Sequence, residues 1–240
     1  MFQKFWYGIG RALIIFFAHV MLKMDIHWKA PRPQGPLILA ANHPSTTDPA
    51  LVTILVKEQT SILILETLFK VPLFGRSLRM SGHIPVVQGS GKAALAEATR
   101  LLNAGRTIII FPEGIISPAE GGLHHGHSGV ARLALETGAP VIPIGIGLDH
   151  NHLQLLETTV KGKGEVGAWY FHGPYAITAG HALRFSGNSE DREQVRRVTD
   201  YIMQQIAGLA QESRARLAPA RMSLPARVVN FGLKFMITGA

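Results

Sequence analysis

Two short stretches of this sequence carry side chains whose types and spacing suit acid–base chemistry. In LILAANHPSTTDPALVTILV, His43 and Asp48 flank four residues that read as a turn. A neutral imidazole can take the proton of an attacking hydroxyl, while a carboxylate beside it fixes the tautomer and stabilises the imidazolium that forms. The same two residues would also serve as a turn histidine and a helix N-cap, because Asp48 stands directly before Pro49, which suits a first helical position. The second stretch, TIIIFPEGIIS (107–117), places Glu113 and Gly114 just past an apolar run. A carboxylate there can hydrogen-bond a substrate hydroxyl or hold neighbouring donors in place, and glycine lets the backbone approach a bound group. Taken alone, Pro112–Glu113–Gly114 is equally an ordinary turn.

The elements around these residues decide whether they can meet. Continuous apolar runs at 36–41, 61–65, 107–111, 141–147 and 165–171 read as strands, unbroken rather than alternating, as expected where both faces of a sheet are covered. Helical patterns at 49–56, 91–103 and 129–137 lie between them, with Gly105 and Gly138 in stop positions. A last amphipathic helix spans about 189–212, with Val195, Val198, Ile202, Ile206 and Leu209 on one face. The expected fold is α/β: a mixed, largely parallel central sheet flanked by helices. His43 and Glu113 then both fall at the carboxyl ends of strands, the edge at which open α/β sheets bind ligands. No repeat or linker interrupts this region, so 25–212 reads as one domain.

The ends differ in character. Within residues 1–24, an uncharged run from Ala12 to Leu22 has His19 as its single polar member, too short for the roughly 20 apolar residues a bilayer requires. Lys4, Arg11 and Lys23, with Phe5, Trp6 and Tyr7, suit a helix lying in a membrane interface; a secretory signal and a core-packing helix share the pattern. Residues 213–240 carry Arg214, Arg216, Arg221, Arg227 and Lys234 among apolar residues and no acidic one, which suits anionic lipid or a solvated tail. The formal charge of +8 favours anionic partners. These basic residues sit beside apolar stretches rather than on an aromatic strand face, which ranks nucleic acid last. With no cysteine, disulfides, thiolate ligands and a cysteinyl intermediate are excluded. His124, His125 and His127 form a histidine-rich loop without the defined spacing that metal sites use, so no metal is expected.

NHPSTTD (42–48), KVPLFG (70–75), FPEG (111–114) and VIPIGI (141–146), in that order, resemble the glycerolipid acyltransferase family that includes 1-acylglycerol-3-phosphate acyltransferases. The resemblance implies His43 and Asp48 as catalytic residues and Phe111, Pro112, Glu113 and Gly114 as acceptor-binding, with Gly75 and Gln88 beside them and Pro143 structural. It also implies an acyl-CoA or acyl-carrier-protein thioester as donor and no further cofactor. One departure stands out. Three positions where the family carries phosphate-binding cations read Gln88, Leu65 and Ile116. Charge-assisted bonds to phosphate are about twice as strong as neutral ones, so their loss bears on the acceptor.

The expectation is therefore a membrane-associated O-acyltransferase on the cytoplasmic face, moving a fatty acyl group onto a lysolipid hydroxyl such as that of 1-acylglycerol-3-phosphate. Its alternatives are an acceptor without a phosphate monoester, such as an amino-acid lipid or glycolipid, and a non-catalytic lipid-binding protein. A hydrolase lacks its usual Gly-x-Ser-x-Gly turn.

Overall fold

The unbroken apolar runs become the centre of a sheet covered on both faces. The computed structural model describes residues 2–118, 120–160 and 163–217. Strands β2 (Ile38–Ala41), β5 (Thr107–Ile110) and β6 (Val141–Leu148) are buried at every position. Their side chains alternate between two cores: Leu39, Ala41, Ile109 and Phe111 join one, Ile38, Ala40, Ile108 and Ile110 the other. That two-sided burial is why these runs are continuous in sequence and not amphipathic.

Six further strands and six helices complete the ordering among the described residues. They are β1 (Met24–Trp28), β3 (Thr60–Leu65), β4 (Ile84–Val86) and β9 (Tyr175–Ala179) in the sheet, with β7 (Leu153–Val160) and β8 (Lys163–Tyr170) apart from it. The helices are α1 (Phe2–Met21), α2 (Asp48–Val52), α3 (Phe74–Ser81), α4 (Lys92–Asn103), α5 (Gly129–Thr137) and α6 (Arg192–Leu217). Among the described residues the sheet has seven strands in the order β1-β9-β6-β2-β5-β3-β4. All its pairings are parallel except β6 with β9. The mixed, largely parallel sheet with flanking helices is thus the expected fold.

Several boundaries differ from the sequence reading. The stretch 165–171 lies mostly in β8, which pairs antiparallel with β7 in a two-stranded hairpin instead of joining the central sheet. Its Leu155 and Val166 are exposed, so their apolar character serves no core. The expected helix 49–56 is α2 followed by a 3₁₀ turn at Thr53–Leu55. The VIPIGI block lies in β6, which is paired on both sides, by β2 and β9. The last helix continues to Leu217, so 213–217 extends α6, and the rest of the basic tail, 218–240, lies outside the described residues. Short β1, β4, β9 and α3 gave no periodicity long enough to read.

α6 lies directly on the sheet because glycine allows it. A Cβ at Gly145 would fall 2.0 Å from Leu209 C and 2.1 Å from Ala210 N, and one at Gly147 would fall 2.6 Å from Arg214 N. α1 docks on the opposite core through Ala18, with Leu22 just past its end, both fully buried, while Arg11 donates to the Val56 carbonyl at 3.0 Å.

Under α3, His83 receives the Ile62 backbone N–H on Nδ1 at 3.3 Å, a role open only to a ring nitrogen without a proton. Burial, then the Arg106 charge, pushes its pKa down from 6.5 to about 4. The unfolded chain therefore binds this proton over a pH range where the folded one does not, and folded stability falls as pH drops from 6.5 towards 4. The expected loss is roughly 3 kcal/mol across that window. In urea denaturation at stepped pH, His83→Gln should flatten the slope over that range; an unchanged slope would assign the acid sensitivity elsewhere.

Candidate active site

β2 ends at Ala41, and the chain then turns through Asn42–Thr47 into α2 at the carboxyl edge of the sheet. Asn42 fixes the start of this turn: its side chain donates to the Ile146 carbonyl at 3.0 Å and accepts the Ile146 N–H at 2.7 Å. His43 Nδ1 lies 3.1 Å from Asp48 Oδ2. Because a carboxylate can only accept, Nδ1 carries the proton and the Nε2 lone pair is left as the basic site. Nε2 has no hydrogen-bond partner among the described residues. The imidazole is 16% exposed and packs 4.4 Å from the Phe111 ring, while Asp48 is fully buried. A base that is open on one nitrogen and anchored on the other can accept a proton from a bound hydroxyl.

Asp48 does not cap its helix in the expected way. It is the first residue of α2, the N-cap is Thr47, and no side chain caps the helix. The carboxylate instead turns back into the loop. Oδ2 also accepts the Ser45 N–H at 2.6 Å, and Oδ1 accepts the Ser45 hydroxyl at 2.6 Å and the Tyr175 hydroxyl at 2.7 Å. Burying a carboxylate this deeply is tolerable only with such a set of donors.

Glu113 is also turned inward. It is 2% exposed; Oε1 accepts the His43 N–H at 3.1 Å and the Ser117 hydroxyl at 2.6 Å, and Oε2 accepts the His124 N–H at 2.8 Å. Ser117 N–H donates to the His43 carbonyl at 2.8 Å. Of the two roles open to Glu113 in the sequence, the geometry takes the second: it clamps the His43 turn to the loop after β5. Gly114, at φ 70°, lets that loop close against the His127 ring, where a Cβ would lie 2.9 Å from Cδ2. Pro112 is buried and its carbonyl accepts the His127 N–H at 2.8 Å.

Gly75 and Gln88 make no contact with His43. Gly75 is buried where α3 meets the preceding turn, and a Cβ there would fall 2.1 Å from the Phe69 carbonyl oxygen, so its glycine is a packing requirement. Gln88 is exposed in the turn closed by Val87 and Ser90. Among the described residues no group of three metal-binding side chains converges, the histidine loop included.

The backbone of the turn is spoken for. The N–H groups of Ser45, Thr46, Thr47 and Asp48 go to Asp48 Oδ2, the Ala168 carbonyl, Ser45 Oγ and the Ser45 carbonyl respectively. Pro44 and Pro49 have no N–H to give, so these residues leave no free donor for an oxyanion. It also reveals what β8 does: Thr46 N–H donates to Ala168 and Tyr170 N–H to Thr47 Oγ1, so the hairpin straps the turn. Ser45, Ser117, Asn42 and Tyr175 were not singled out from sequence. The first three lie inside or beside the motifs, but nothing local marks Tyr175, 127 residues from its partner.

The crystal structure of the 1-acyl-sn-glycerophosphate (LPA) acyltransferase PlsC from Thermotoga maritima is similar to this chain with a TM-score of 0.56 and 20% identity, over 93% of this chain and 81% of that one. At that identity the likeness is one of fold. A family model described as Acyltransferase matches residues 23–147, a span that holds the His43–Asp48 turn, the Glu113 clamp and β6. Since that model spans over half of the sequence and contains the whole anchored pair, the chain belongs to the acyltransferase family and is an enzyme of that class.

Proposed function

We propose that this acyltransferase moves a fatty acyl group from a thioester, acyl-CoA or acyl-carrier protein, to a lysolipid hydroxyl, with His43 as general base. The observation that carries the reading is the imidazole anchored through Nδ1 to a buried carboxylate with Nε2 open at the sheet edge. In the step itself the acceptor hydroxyl gives its proton to Nε2 as its oxygen bonds the thioester carbonyl carbon. Collapse of the tetrahedral adduct breaks the C–S bond, and the departing thiolate takes the proton from the imidazolium. Asp48 holds the tautomer throughout. Donors to the oxyanion come from outside the turn, whose N–H groups are occupied.

A second reading concerns the acceptor. β3 pairs with β4 in a register that sets Leu65 opposite Val86, so Leu65, Val87 and Gln88 crowd one stretch of the carboxyl edge. Leu65 is 41% exposed and Val87 49%, and Ile115 stands 56% exposed on the loop beyond Glu113. None of these side chains carries a charge, which favours an acceptor lacking a terminal phosphate monoester. Purified enzyme assayed for thioester consumption against lysophosphatidic acid, lysophospholipid diesters, amino-acid lysolipids and lysoglycolipids separates the cases. Turnover of lysophosphatidic acid alone would sink the second reading, and no turnover with any acceptor would sink the first.

The membrane surface enters through α1, which supports an interfacial position. Its outer face exposes Trp6, Ile9, Leu13, Phe16 and Val20, one stripe at helical spacing. Leu73, held at φ 61° by a tight turn in which Phe74 N–H donates to the Pro72 carbonyl, is 84% exposed on the neighbouring α3 entry, with Arg76 and Arg79 following. No helix among the described residues is long and apolar enough to cross a membrane. A cytoplasmic face fits a thioester donor, which is made inside cells. Phe16→Glu together with Leu13→Glu should reduce co-sedimentation with anionic vesicles by about tenfold, given the apolar area withdrawn. Undiminished binding would move the lipid contact off α1.

A further inference from the structure

The His43–Asp48 pair does not stand on its own loop alone. Of the four donors on the Asp48 carboxylate, three come from residues 43 and 45; the fourth, the Tyr175 hydroxyl, comes from β9 across the sheet. Tyr175 is fully buried on a strand whose register is fixed from both sides, against Leu148 of β6 and Met24 of β1. Its ring leans on Tyr170 of β8 with centroids 5.9 Å apart. A phenol so placed has no solvent to turn to, and Oδ1 is its single partner among the described residues.

We infer that Tyr175 is a positioning residue of the acyl-transfer site, holding the Asp48 carboxylate so that Oδ2 faces His43 and drawing part of its charge onto Oδ1. This rests on the proposed role of His43 as base. Two physical arguments support it. Hydrogen bonds to an ionised acceptor are the stronger kind, and one in a buried site acts without competition from water. Burial, and then the neighbouring Asp48 charge, holds the Tyr175 pKa well above 10, so the hydroxyl remains a donor at every pH at which the enzyme works. The residue also lies outside the span that the family model matches, 23–147. It is a contribution of the last strand to a pair defined by the first motif.

Tyr175→Phe removes the hydroxyl and leaves the ring, so the core should persist. Tyr170→Phe is the matched control, because its hydroxyl donates to the Pro174 carbonyl at 2.7 Å and not to Asp48. Around the pair, Tyr175 from β9 bonds Asp48 and Glu113 from the loop after β5 holds the His43 N–H, while Tyr170 of β8 packs on Tyr175, His124 gives its backbone N–H to Glu113, and His127 lies against Gly114. The comparison leaves all but the tested hydroxyl in place. In Tyr175→Phe the carboxylate charge is freed toward the imidazolium. The acid limb of the kcat/KM profile should therefore rise by about half a pH unit, and kcat fall about tenfold with both KM values within twofold.

In the same variant the low-field proton resonance of the His43 Nδ1–H should shift, a readout that needs no turnover. Tyr170→Phe should leave limb, resonance and kcat near the wild type. Equal kcat losses in the two variants, tracking lowered melting temperatures with limb and resonance unmoved, would overturn the assignment. Should the wild type turn over no acceptor, the transfer reading fails and the resonance alone decides: moved only in Tyr175→Phe, it upholds the coupling; unmoved, it refutes it.

Discussion

His43→Ala should fold with a near-native melting temperature and lose about a thousandfold in kcat, with KM for thioester and acceptor little changed. The reasoning starts from geometry. Among the described residues His43 is the one histidine whose ring bonds a fully buried carboxylate, its Nε2 is open, and its ring meets the Phe111 face, so truncation removes the proposed base without disturbing the strands on either side. His43 N–H, which Glu113 and Ser117 hold, belongs to the backbone and survives the substitution. The loss should appear in kcat because proton transfer is a transition-state interaction, whereas substrate contacts made elsewhere persist. Asp48→Asn should cost comparably for a different reason: the amide can donate to Nδ1 and select the wrong tautomer. The double variant should be little worse than either single one, since the two act as a unit. Additive losses, or a single-variant loss under tenfold in kcat, would show that another group takes the proton.

The largest effect on folding is expected at Gly145. It is buried in β6, and α6 crosses above it so closely that a Cβ would sit 2.4 Å from the Leu209 carbonyl oxygen as well as on the adjoining peptide atoms. Those are backbone atoms of a helix, which cannot rotate away as a side-chain tip can. Gly145→Ala must lift α6 off the sheet, opening the core formed by Ile202, Ile206 and Leu209. A cost of about 3–5 kcal/mol is expected, a large share of the 5–15 kcal/mol that holds a typical domain folded. Gly208→Ala is the control: it is exposed on the same helix with nothing within 4 Å of its added Cβ, and should stabilise by about 0.5–1 kcal/mol. Denaturant midpoints for both variants measure this directly. A Gly145→Ala midpoint within error of wild type would mean that α6 is not seated on β6.

The strands that carry the site, and the pair that occupies it, are legible from local pattern. Unbroken apolar runs such as TIII can only be covered on both faces, and a polar turn directly after such a run must emerge at a sheet edge. His43, Asp48 and Glu113 were therefore legible as neighbours of that edge, because their positions follow from local pattern and short spacing. What they do there was not. Whether Glu113 faces substrate or clamps the turn depends on where His124, Ser117 and the His43 N–H arrive, and those are long-range meetings. Asp48 as N-cap was the local expectation, and it gave way because Tyr175 and Ser45 offer the carboxylate better donors than the helix end does. The assignment of 165–171 to the main sheet failed for a related reason: apolar residues can build a hairpin strapped over a loop as readily as a core strand.

Packing alone sets β9, five residues long with no periodicity to announce it, parallel to β1 on one side and antiparallel to β6 on the other, and so brings a buried phenol to a carboxylate 127 residues away. Spacing along the chain specifies what meets across one turn. What meets across a sheet is fixed by strand order and register, which are properties of the packed whole.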